Sequence, residues 1–200
     1  MRVHFLFILI MISCATPKEK DQSTSGITEV EPEAKLSKDD LPNVDCKLDY
    51  YLMHDSVSKE AIEFWKGERK PTDDDATTKV FNELNSKPDE VRPFYFVLVS
   101  KLMDKTDGAL ADLAIHTTYR FVFEEHTQEF FSYTNKENCF INDHYFSYSN
   151  WAEHLGGALS MRCDTGENYD ECISKYFVEL KKKCPSCDVE TLQLRLRGWL

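Results

Sequence analysis

The sequence predicts an all-α fold, a compact and disulfide-bonded bundle of about seven or eight short helices. Three observations support this prediction. From Leu41 onward, apolar residues recur at helical spacing far more often than in alternation. Residues that cap or end helices separate these segments. The domain also contains six cysteines, an even set. No convincing set of strands competes with this architecture.

The first half of the domain contains four predicted helices. One surrounds Tyr51, and the next begins at a Ser58 cap and ends near Gly67. A third begins at the acidic run 73–75, because acidic residues suit the positive end of the helix dipole. We expect Asp89 to cap the fourth. Their inward-facing residues are Leu48, Tyr51, Leu52, Ile62, Phe64, Trp65, Ala76, Val80, Phe81, Leu84, Phe94, Val97, Leu98 and Leu102.

The fourth segment has a second interpretation, because its run PFYFVLV resembles a strand. Pro93 is tolerated in the first turn of a helix, and the segment continues through residues 101–105. This length favours a helix over a strand.

The second half contains further helical segments. Residues 109–125 show the clearest amphipathic pattern, with Leu110, Leu113, Ala114, Thr117 and Phe121 on one stripe. We expect Thr127 to cap a short helix that ends at Asn135. Residues 136–148 look irregular.

Three helices complete the predicted domain. Ser149 is expected to cap a helix over residues 150–162, with Trp151, Leu155 and Leu159 on one apolar stripe. Residues 168–183 form a second helix, with three lysines at its C-terminal end, where the helix dipole favours cations. Asp188 is expected to cap the last, whose apolar stripe is Val189, Leu192, Leu196 and Trp199.

Residues 1–13 differ from the rest of the chain, because Arg2 precedes an unbroken apolar run over residues 5–12. A bilayer span needs about 20 apolar residues, but this shorter run is typical of a secretory signal. Met-Ile-Ser at positions 11–13 then leads into Cys14, after which the chain turns polar. The segment resembles a bacterial lipoprotein signal, with residues 11–13 at the lipobox positions and Cys14 at the lipidated position.

This resemblance implies cleavage before Cys14, a lipid anchor on that cysteine and a location outside the cytoplasm, in the bacterial cell envelope. Two acyl chains give stable attachment, at roughly 0.8 kcal/mol per buried methylene. Because Ala15 rather than aspartate follows the cysteine, we expect the outer rather than the inner membrane. The predicted organisation is a signal peptide (1–13), a lipidated cysteine with a disordered tether (14–40), and a single helical domain (41–200).

Composition supports the tether and limits the partners. Residues 15–40 hold no aromatic residue and are rich in Lys, Glu, Ser, Thr and Pro, as disordered segments are. A flexible chain of this length spans roughly 25 to 30 Å. Removing residues 1–13 takes away one arginine and no acid, which changes the formal net charge from −11 to −12. This charge disfavours nucleic acid. It suits a basic protein partner, although solubility alone also explains it.

The six cysteines of the domain predict up to three disulfides in an exported chain, and they are Cys46, Cys139, Cys163, Cys172, Cys184 and Cys187. Twelve helical residues between Cys172 and Cys184 span about 18 Å, whereas bridged Cα atoms lie within about 7 Å. We therefore expect the pairs Cys163–Cys172, Cys184–Cys187 and Cys46–Cys139.

Two other uses of the cysteines remain open. The Cys184-Pro-Ser-Cys187 motif suggests a redox site, but such a site normally follows a β-strand. The last four cysteines together suggest a zinc site, but the spacing between Cys163 and Cys172 is wider than that of typical ligand pairs.

The sequence contains no motif that predicts catalysis or metal binding. His126, His144 and His154 each follow an acidic residue, but adjacent helical residues do not face each other. No H-E-x-x-H, G-x-S-x-G, P-loop or dinucleotide motif occurs. A charged protein surface explains these acid–histidine pairs better than metal binding or acid–base catalysis does. We predict no catalytic residue, metal or cofactor. Gly156-Gly157 favours close helix packing over phosphate binding.

Aromatic residues are dense between Tyr119 and Trp151. Those at helical spacing are expected in the core. A second group lies in or beside the irregular stretch and is the candidate binding surface, although a core position is the alternative. This group consists of Phe140, Tyr145, Phe146, Tyr148 and Trp151.

Together these features predict a membrane-anchored envelope lipoprotein that acts as a protein-binding module. Neutralisation of a basic secreted toxin, as immunity lipoproteins perform, fits the location and charge, with no motif behind it. The alternatives are a purely structural envelope role and a metal-dependent enzyme. An exposed aromatic or acidic patch favours binding, whereas a pocket that gathers His144, His154 and acids favours an enzyme.

Overall fold

A computed structural model describes residues 44–134, 148–163 and 168–200, with side chains from Leu48 in the first helix and from Ser149 in the seventh. These residues contain nine α-helices and one π-helix, and no strand, which confirms the all-α prediction. The elements are α1 (Val44–Leu52), α2 (Lys59–Lys66), α3 (Asp75–Ser86), α4 (Arg92–Met103), α5 (Gly108–Tyr119), the π-helix (Arg120–Glu125), α6 (Thr127–Tyr133), α7 (Tyr148–Cys163), α8 (Tyr169–Lys183) and α9 (Val189–Leu196).

Helix α4 lies at the centre of the bundle and packs against α1, α2, α3 and α7. Eleven of its twelve residues are buried, which explains why its sequence is apolar on every side. The helical interpretation of PFYFVLV is therefore confirmed. Asp89 does not cap this helix, because the N-cap position is taken by Val91. The Asp89 carboxylate instead pairs with the Arg92 guanidinium.

Two predicted N-caps are confirmed. The Ser58 side chain accepts a hydrogen bond from the Ala61 N–H, and the Asp188 side chain accepts one from Thr191. Each satisfies a backbone donor that the first helical turn leaves without an intrahelical partner. Gly67 ends α2 in the left-handed conformation, with φ of 73°, which glycine adopts without steric cost.

The single helix predicted over residues 109–125 is divided. Helix α5 ends at Tyr119, and a π-helix follows, with a hydrogen bond from the His126 N–H to the Phe121 carbonyl at 2.9 Å. Thr127, predicted as a cap, is the first residue of α6. Its hydroxyl donates to the Val122 carbonyl at 2.7 Å, because the end of the π-helix leaves that acceptor within reach. Ser149, also predicted as a cap, lies within α7, which begins at Tyr148.

The two adjacent glycines of α7 permit close helix packing, as predicted. A Cβ atom on Gly156 would lie 2.7 Å from the Trp199 Cβ and 3.0 Å from its carbonyl oxygen, and one on Gly157 would lie 3.2 Å from Ile115. The inward positions predicted for Val189, Leu192 and Leu196 of α9 are confirmed. Trp199 is an exception, because α9 ends at Leu196 and 46% of Trp199 is exposed.

Two predicted disulfides are present. Cys163–Cys172 joins the end of α7 to the start of α8, with Cα atoms 5.7 Å apart. Cys184–Cys187 spans the α8–α9 turn, with Cα atoms 5.3 Å apart. The predicted Cys46–Cys139 pair lies outside the described side chains. No helix within the described ranges is both long and apolar enough to cross a membrane.

Candidate functional site

The predicted aromatic binding surface is not supported at its one described side chain. Trp151 is fully buried. Its ring stacks on Phe96 at a centroid distance of 4.8 Å, and its indole N–H donates to the Ser100 hydroxyl at 2.8 Å. The assignment of Trp151 to a binding surface was therefore wrong, because α7 turns this residue toward α4. The other predicted members lie outside the described side chains, and they are Phe140, Tyr145, Phe146 and Tyr148.

Two of the histidines beside acids have partners within the fold. The buried His154 donates from Nδ1 to the Asn150 carbonyl at 2.7 Å, and its Nε2 lies 3.2 Å from the Thr106 hydroxyl. His126 Nε2 lies 3.1 Å from the Asn85 carbonyl oxygen. His144 lies outside the described residues. Across residues 44–134, 148–163 and 168–200, no three His, Cys, Asp or Glu side chains gather in a metal-binding group.

An exposed surface that combines apolar and acidic side chains lies on α1, the α1–α2 loop and the α3–α4 turn. We call it the α1 patch, and it consists of Tyr50, Met53, Asp55, Asp89 and Glu90. Tyr50 is 42% exposed and Met53 78% exposed. The side chains of Asp89 and Glu90 are also mostly exposed, and so is Asp55. Exposed large apolar side chains framed by charge are typical of protein interaction sites.

His54 links the two halves of the α1 patch. Its ring packs edge-on against Tyr50, with centroids 5.1 Å apart. Its Nε2 lies 3.6 Å from Glu90 Oε1 on the α3–α4 turn, and its Nδ1 accepts a hydrogen bond from the Ser56 N–H at 3.1 Å. His54 therefore joins the end of α1 to Glu90, which lies far from it in the sequence.

A polar network beneath the α1 patch fixes the loop between α1 and α2. The Tyr95 hydroxyl accepts from the Ser58 N–H at 2.9 Å, and the Ser58 hydroxyl donates to Glu83 at 2.7 Å. Lys87 donates to the Ser56 carbonyl at 2.7 Å and pairs with Glu83 at 3.3 Å. Burial raises the pKa of the Tyr95 phenol to about 12, so this hydroxyl remains a neutral hydrogen-bonding group at physiological pH.

A second network fixes the α3–α4 turn from the side of α6. The buried Arg92 guanidinium donates to the Lys87 carbonyl at 2.6 Å, pairs with Asp89 and lies 3.2 Å from Glu129 Oε1. Burial raises the pKa of Glu129, but hydrogen bonds from His126 and the backbone, with the charges of His126 and Arg92, outweigh it. The pKa of Glu129 is therefore lowered, and the carboxylate stays ionised beside Arg92.

These two networks make the α1 patch a preformed surface. Tyr51, on the inner side of α1, is fully buried and stacks on Phe94 at 5.8 Å, so the outward positions of Tyr50 and Met53 are set by core packing. Preformed surfaces lose less conformational entropy when they bind. The acidic and apolar side chains of the α1 patch suit a partner that presents basic side chains around an apolar centre.

The α1 patch did not follow from the sequence patterns. The apolar stripe of α1 predicts Leu48, Tyr51 and Leu52 as inward, which leaves two apolar residues outside it, Tyr50 on α1 and Met53 directly after its end. That pair was the available signal. Its acidic neighbours on the α3–α4 turn come from tertiary packing.

We compared the chain with protein-family models, curated proteins and solved structures, and none of them matches it.

Proposed function

We propose that this chain is a lipid-anchored lipoprotein of the bacterial envelope whose helical domain binds a basic protein through the α1 patch. The observation that carries the proposal is the exposed pair Tyr50 and Met53 within a frame of acidic side chains. The lipoprotein-like signal supports the location. The disulfides Cys163–Cys172 and Cys184–Cys187 support an oxidising compartment.

The mode of action that we propose is occlusion of the partner. A formal net charge near −12 for the processed chain accelerates the approach of a basic protein. The apolar centre at Tyr50 and Met53 then determines how long the complex lasts, since most affinity differences lie in the dissociation rate. A basic secreted toxin held in this way is kept from its target, which is the action of an immunity protein.

The location is tested by changing the predicted lipidated residue. Cys14→Ser removes the thiol that carries the anchor. We expect the variant to lose palmitate labelling and to leave the membrane fraction, while a Ser13→Ala control stays there. Unchanged membrane retention of Cys14→Ser contradicts the lipid anchor.

Binding is tested by capture from envelope and secreted fractions with the oxidised processed chain, residues 14–200. Met53→Arg places a cation at the centre of the α1 patch. Val178→Arg is the matched control, because Val178 is also an exposed apolar residue, on α8. We expect a basic protein to be captured by the parent and by Val178→Arg, released by salt, and lost with Met53→Arg. Equal capture by all three chains contradicts the α1 patch as the binding surface, and capture of nothing favours a purely structural role.

A further inference from the structure

His54 contacts both Tyr50 and Glu90 of the α1 patch, and its two ring nitrogens have different partners. Nδ1 accepts a hydrogen bond from the Ser56 N–H at 3.1 Å. Nε2 lies 3.6 Å from the carboxylate oxygen Oε1 of Glu90. A neutral imidazole has one N–H and one acceptor nitrogen. The acceptor at Nδ1 therefore requires the proton to lie on Nε2, which faces Glu90.

The hydrogen bond from Ser56 has the connectivity of an Asx-turn. The side chain at position 54 accepts from the backbone N–H two positions later, as asparagine and aspartate side chains do in turns. This bond fixes the peptide group that joins Asp55 to Ser56, and Asp55 is an exposed acid of the α1 patch. The imidazole of His54 therefore helps to set the position of this acid.

The same hydrogen bond exists only while the imidazole is neutral. An imidazolium has an N–H on both nitrogens, so protonation places a second donor against the Ser56 N–H, and two donors cannot bond to each other. Histidine is the side chain whose charge ordinarily changes between pH 5 and pH 8. Acidification within this range therefore removes the acceptor that holds Ser56.

The Glu90 carboxylate determines which of the two donors moves. It attracts the imidazolium at Nε2 and keeps the ring in place, so we expect the Ser56 N–H to turn away toward water. Lys87 still holds the Ser56 carbonyl at 2.7 Å, and the Val57 N–H still donates to the His54 carbonyl at 2.9 Å. The change is therefore local, and the rest of the loop keeps its structure.

The groups around the ring give its protonation a direct effect on the charge of the α1 patch. The titratable groups of the neighbouring segments are Tyr50 on α1, Asp55 on the α1–α2 loop, and Lys87, Asp89 and Glu90 on the α3–α4 turn. Three of these groups are acids, and carboxylates ordinarily lose their charge only at lower pH than histidine gains its own. A positive charge on the ring therefore offsets one negative charge of the α1 patch before any of the acids is neutralised.

We propose that His54 is a pH-dependent switch of the α1 patch. Its neutral form holds Asp55 in place and keeps the patch acidic, and its protonated form releases the Asp55–Ser56 peptide and weakens the binding of a basic partner. This inference rests on the proposed function, since it concerns the same surface. The loss of the hydrogen bond is a property of the unbound domain, so it is measured without a partner.

The test follows the processed chain, residues 14–200 with Cys14→Ser and intact disulfides, by NMR between pH 8 and pH 5. Imidazole ¹⁵N shifts of His54 report which ring nitrogen carries the proton, and the Ser56 amide reports the hydrogen bond. The Val57 amide is the internal reference, because it donates to the His54 carbonyl and not to the ring. His54→Asn supplies an acceptor that does not titrate, and His116→Asn, which removes an exposed histidine of α5, is the matched control.

We expect the neutral ring of His54 to carry its proton on Nε2. The Ser56 amide should lose its hydrogen-bonded shift with the same midpoint as the ring, while the Val57 amide changes little. This response should be absent in His54→Asn and unchanged in His116→Asn. The captured basic protein should bind the parent roughly fivefold more weakly at pH 5.5 than at pH 7.5, relative to His54→Asn, which is the effect of one added charge about 4 Å from a cation in water.

A proton on Nδ1 at neutral pH, or a Ser56 amide that does not follow the ring, overturns the switch. Persistence of the Ser56 response in His54→Asn also overturns it, because another group then causes the response. Equal pH dependence of binding in the parent and in His54→Asn contradicts the effect on the partner. These results leave the proposed function standing wherever Met53→Arg still abolishes capture, and capture that Met53→Arg does not change contradicts the proposed function alone.

Discussion

Nε2 of His54 lies 3.6 Å from Oε1 of Glu90, and this contact joins the outer side of α1 to the α3–α4 turn. Tyr50 packs against the His54 ring, and Met53 and Asp89 directly precede His54 and Glu90 in the chain, so the contact brings apolar and acidic parts of the α1 patch together. The hydrogen bonds of Lys87 and Arg92 to backbone carbonyls hold the same turn from below. Both segments are positioned by the packed interior rather than by their own propensities.

Trp151→Phe is predicted to lower stability without affecting partner binding. The change removes the hydrogen bond to Ser100 and leaves a void next to Phe96, at an expected cost of about 2 kcal/mol. Urea unfolding with the disulfides intact measures the loss. Weakened binding at unchanged stability would restore Trp151 as part of a binding surface.

Glu129→Gln is predicted to destabilise the domain by about 2 kcal/mol at pH 7. It leaves the buried Arg92 with Asp89 as its remaining carboxylate partner. The expected loss of stability is smaller than that for breaking a fully buried ion pair, because the Glu129 side chain is 27% exposed. Glu171→Gln is the control, since its pairing with Lys175 on the surface contributes little.

The effect of Glu129→Gln is also predicted to depend on pH. The pKa of Glu129 is lowered in the folded state from its ordinary value of 4.5. Its carboxylate therefore contributes fully above that value and loses its contribution as the pH falls through the folded-state pKa. The difference between parent and variant, measured by urea unfolding from pH 7 to pH 3, should shrink below about pH 4.5. A difference that is constant over this range contradicts the role assigned to the ionised group.

Gly156→Ala is predicted to destabilise the domain by about 1 to 3 kcal/mol, because the new methyl group overlaps the backbone and Cβ of Trp199. Gly157→Ala is the neighbouring control. There the new Cβ meets the terminal methyl of Ile115 at 3.2 Å, a flexible group that can move. We expect thermal unfolding to show a clearly smaller loss for Gly157→Ala than for Gly156→Ala, and the reverse order would contradict the packing described for α7.

The third disulfide, Cys46–Cys139, is predicted to complete the set. With Cys163–Cys172 and Cys184–Cys187 formed and Cys14 proposed to carry the lipid, these two cysteines remain. The oxidised processed chain with Cys14→Ser should show no free thiol, and a peptide map without reduction should contain a peptide that joins Cys46 to Cys139. Two free thiols would contradict the pairing.

The features predicted correctly from the sequence are local ones. Helical spacing identified the helices, Ser58 and Asp188 were recognised as caps, and distance along a helix excluded Cys172–Cys184. Each of these depends on residues within a few turns of one another. The run PFYFVLV fits a helix or a strand by composition. The segment continues beyond the usual length of a strand, and this favours the helix that the structure contains.

The features that were missed depend on contacts between distant elements. The stripe that Trp151 shares with Leu155 and Leu159 predicts an inward position, which burial confirms, but the packing of α7 on α4 follows from no local pattern. The hydrogen bond from Thr127 to the Val122 carbonyl depends on a π-helix. The spacing of apolar residues predicts a continuous α-helix in its place. The α1 patch required the position of Glu90 relative to His54.

Binding of a basic partner by the α1 patch is tested most directly by the dissociation constant of the captured partner, measured at low and moderate salt. Asp55→Lys/Glu90→Lys reverses two charges in the α1 patch. Glu171→Lys/Glu179→Lys makes the same change in net charge on α8, where both side chains are similarly exposed. We expect at least tenfold weaker binding and a shallower salt dependence for the first variant, with a clearly smaller effect for the second. Equal weakening in both variants would contradict binding through the α1 patch, since net charge alone would then govern binding.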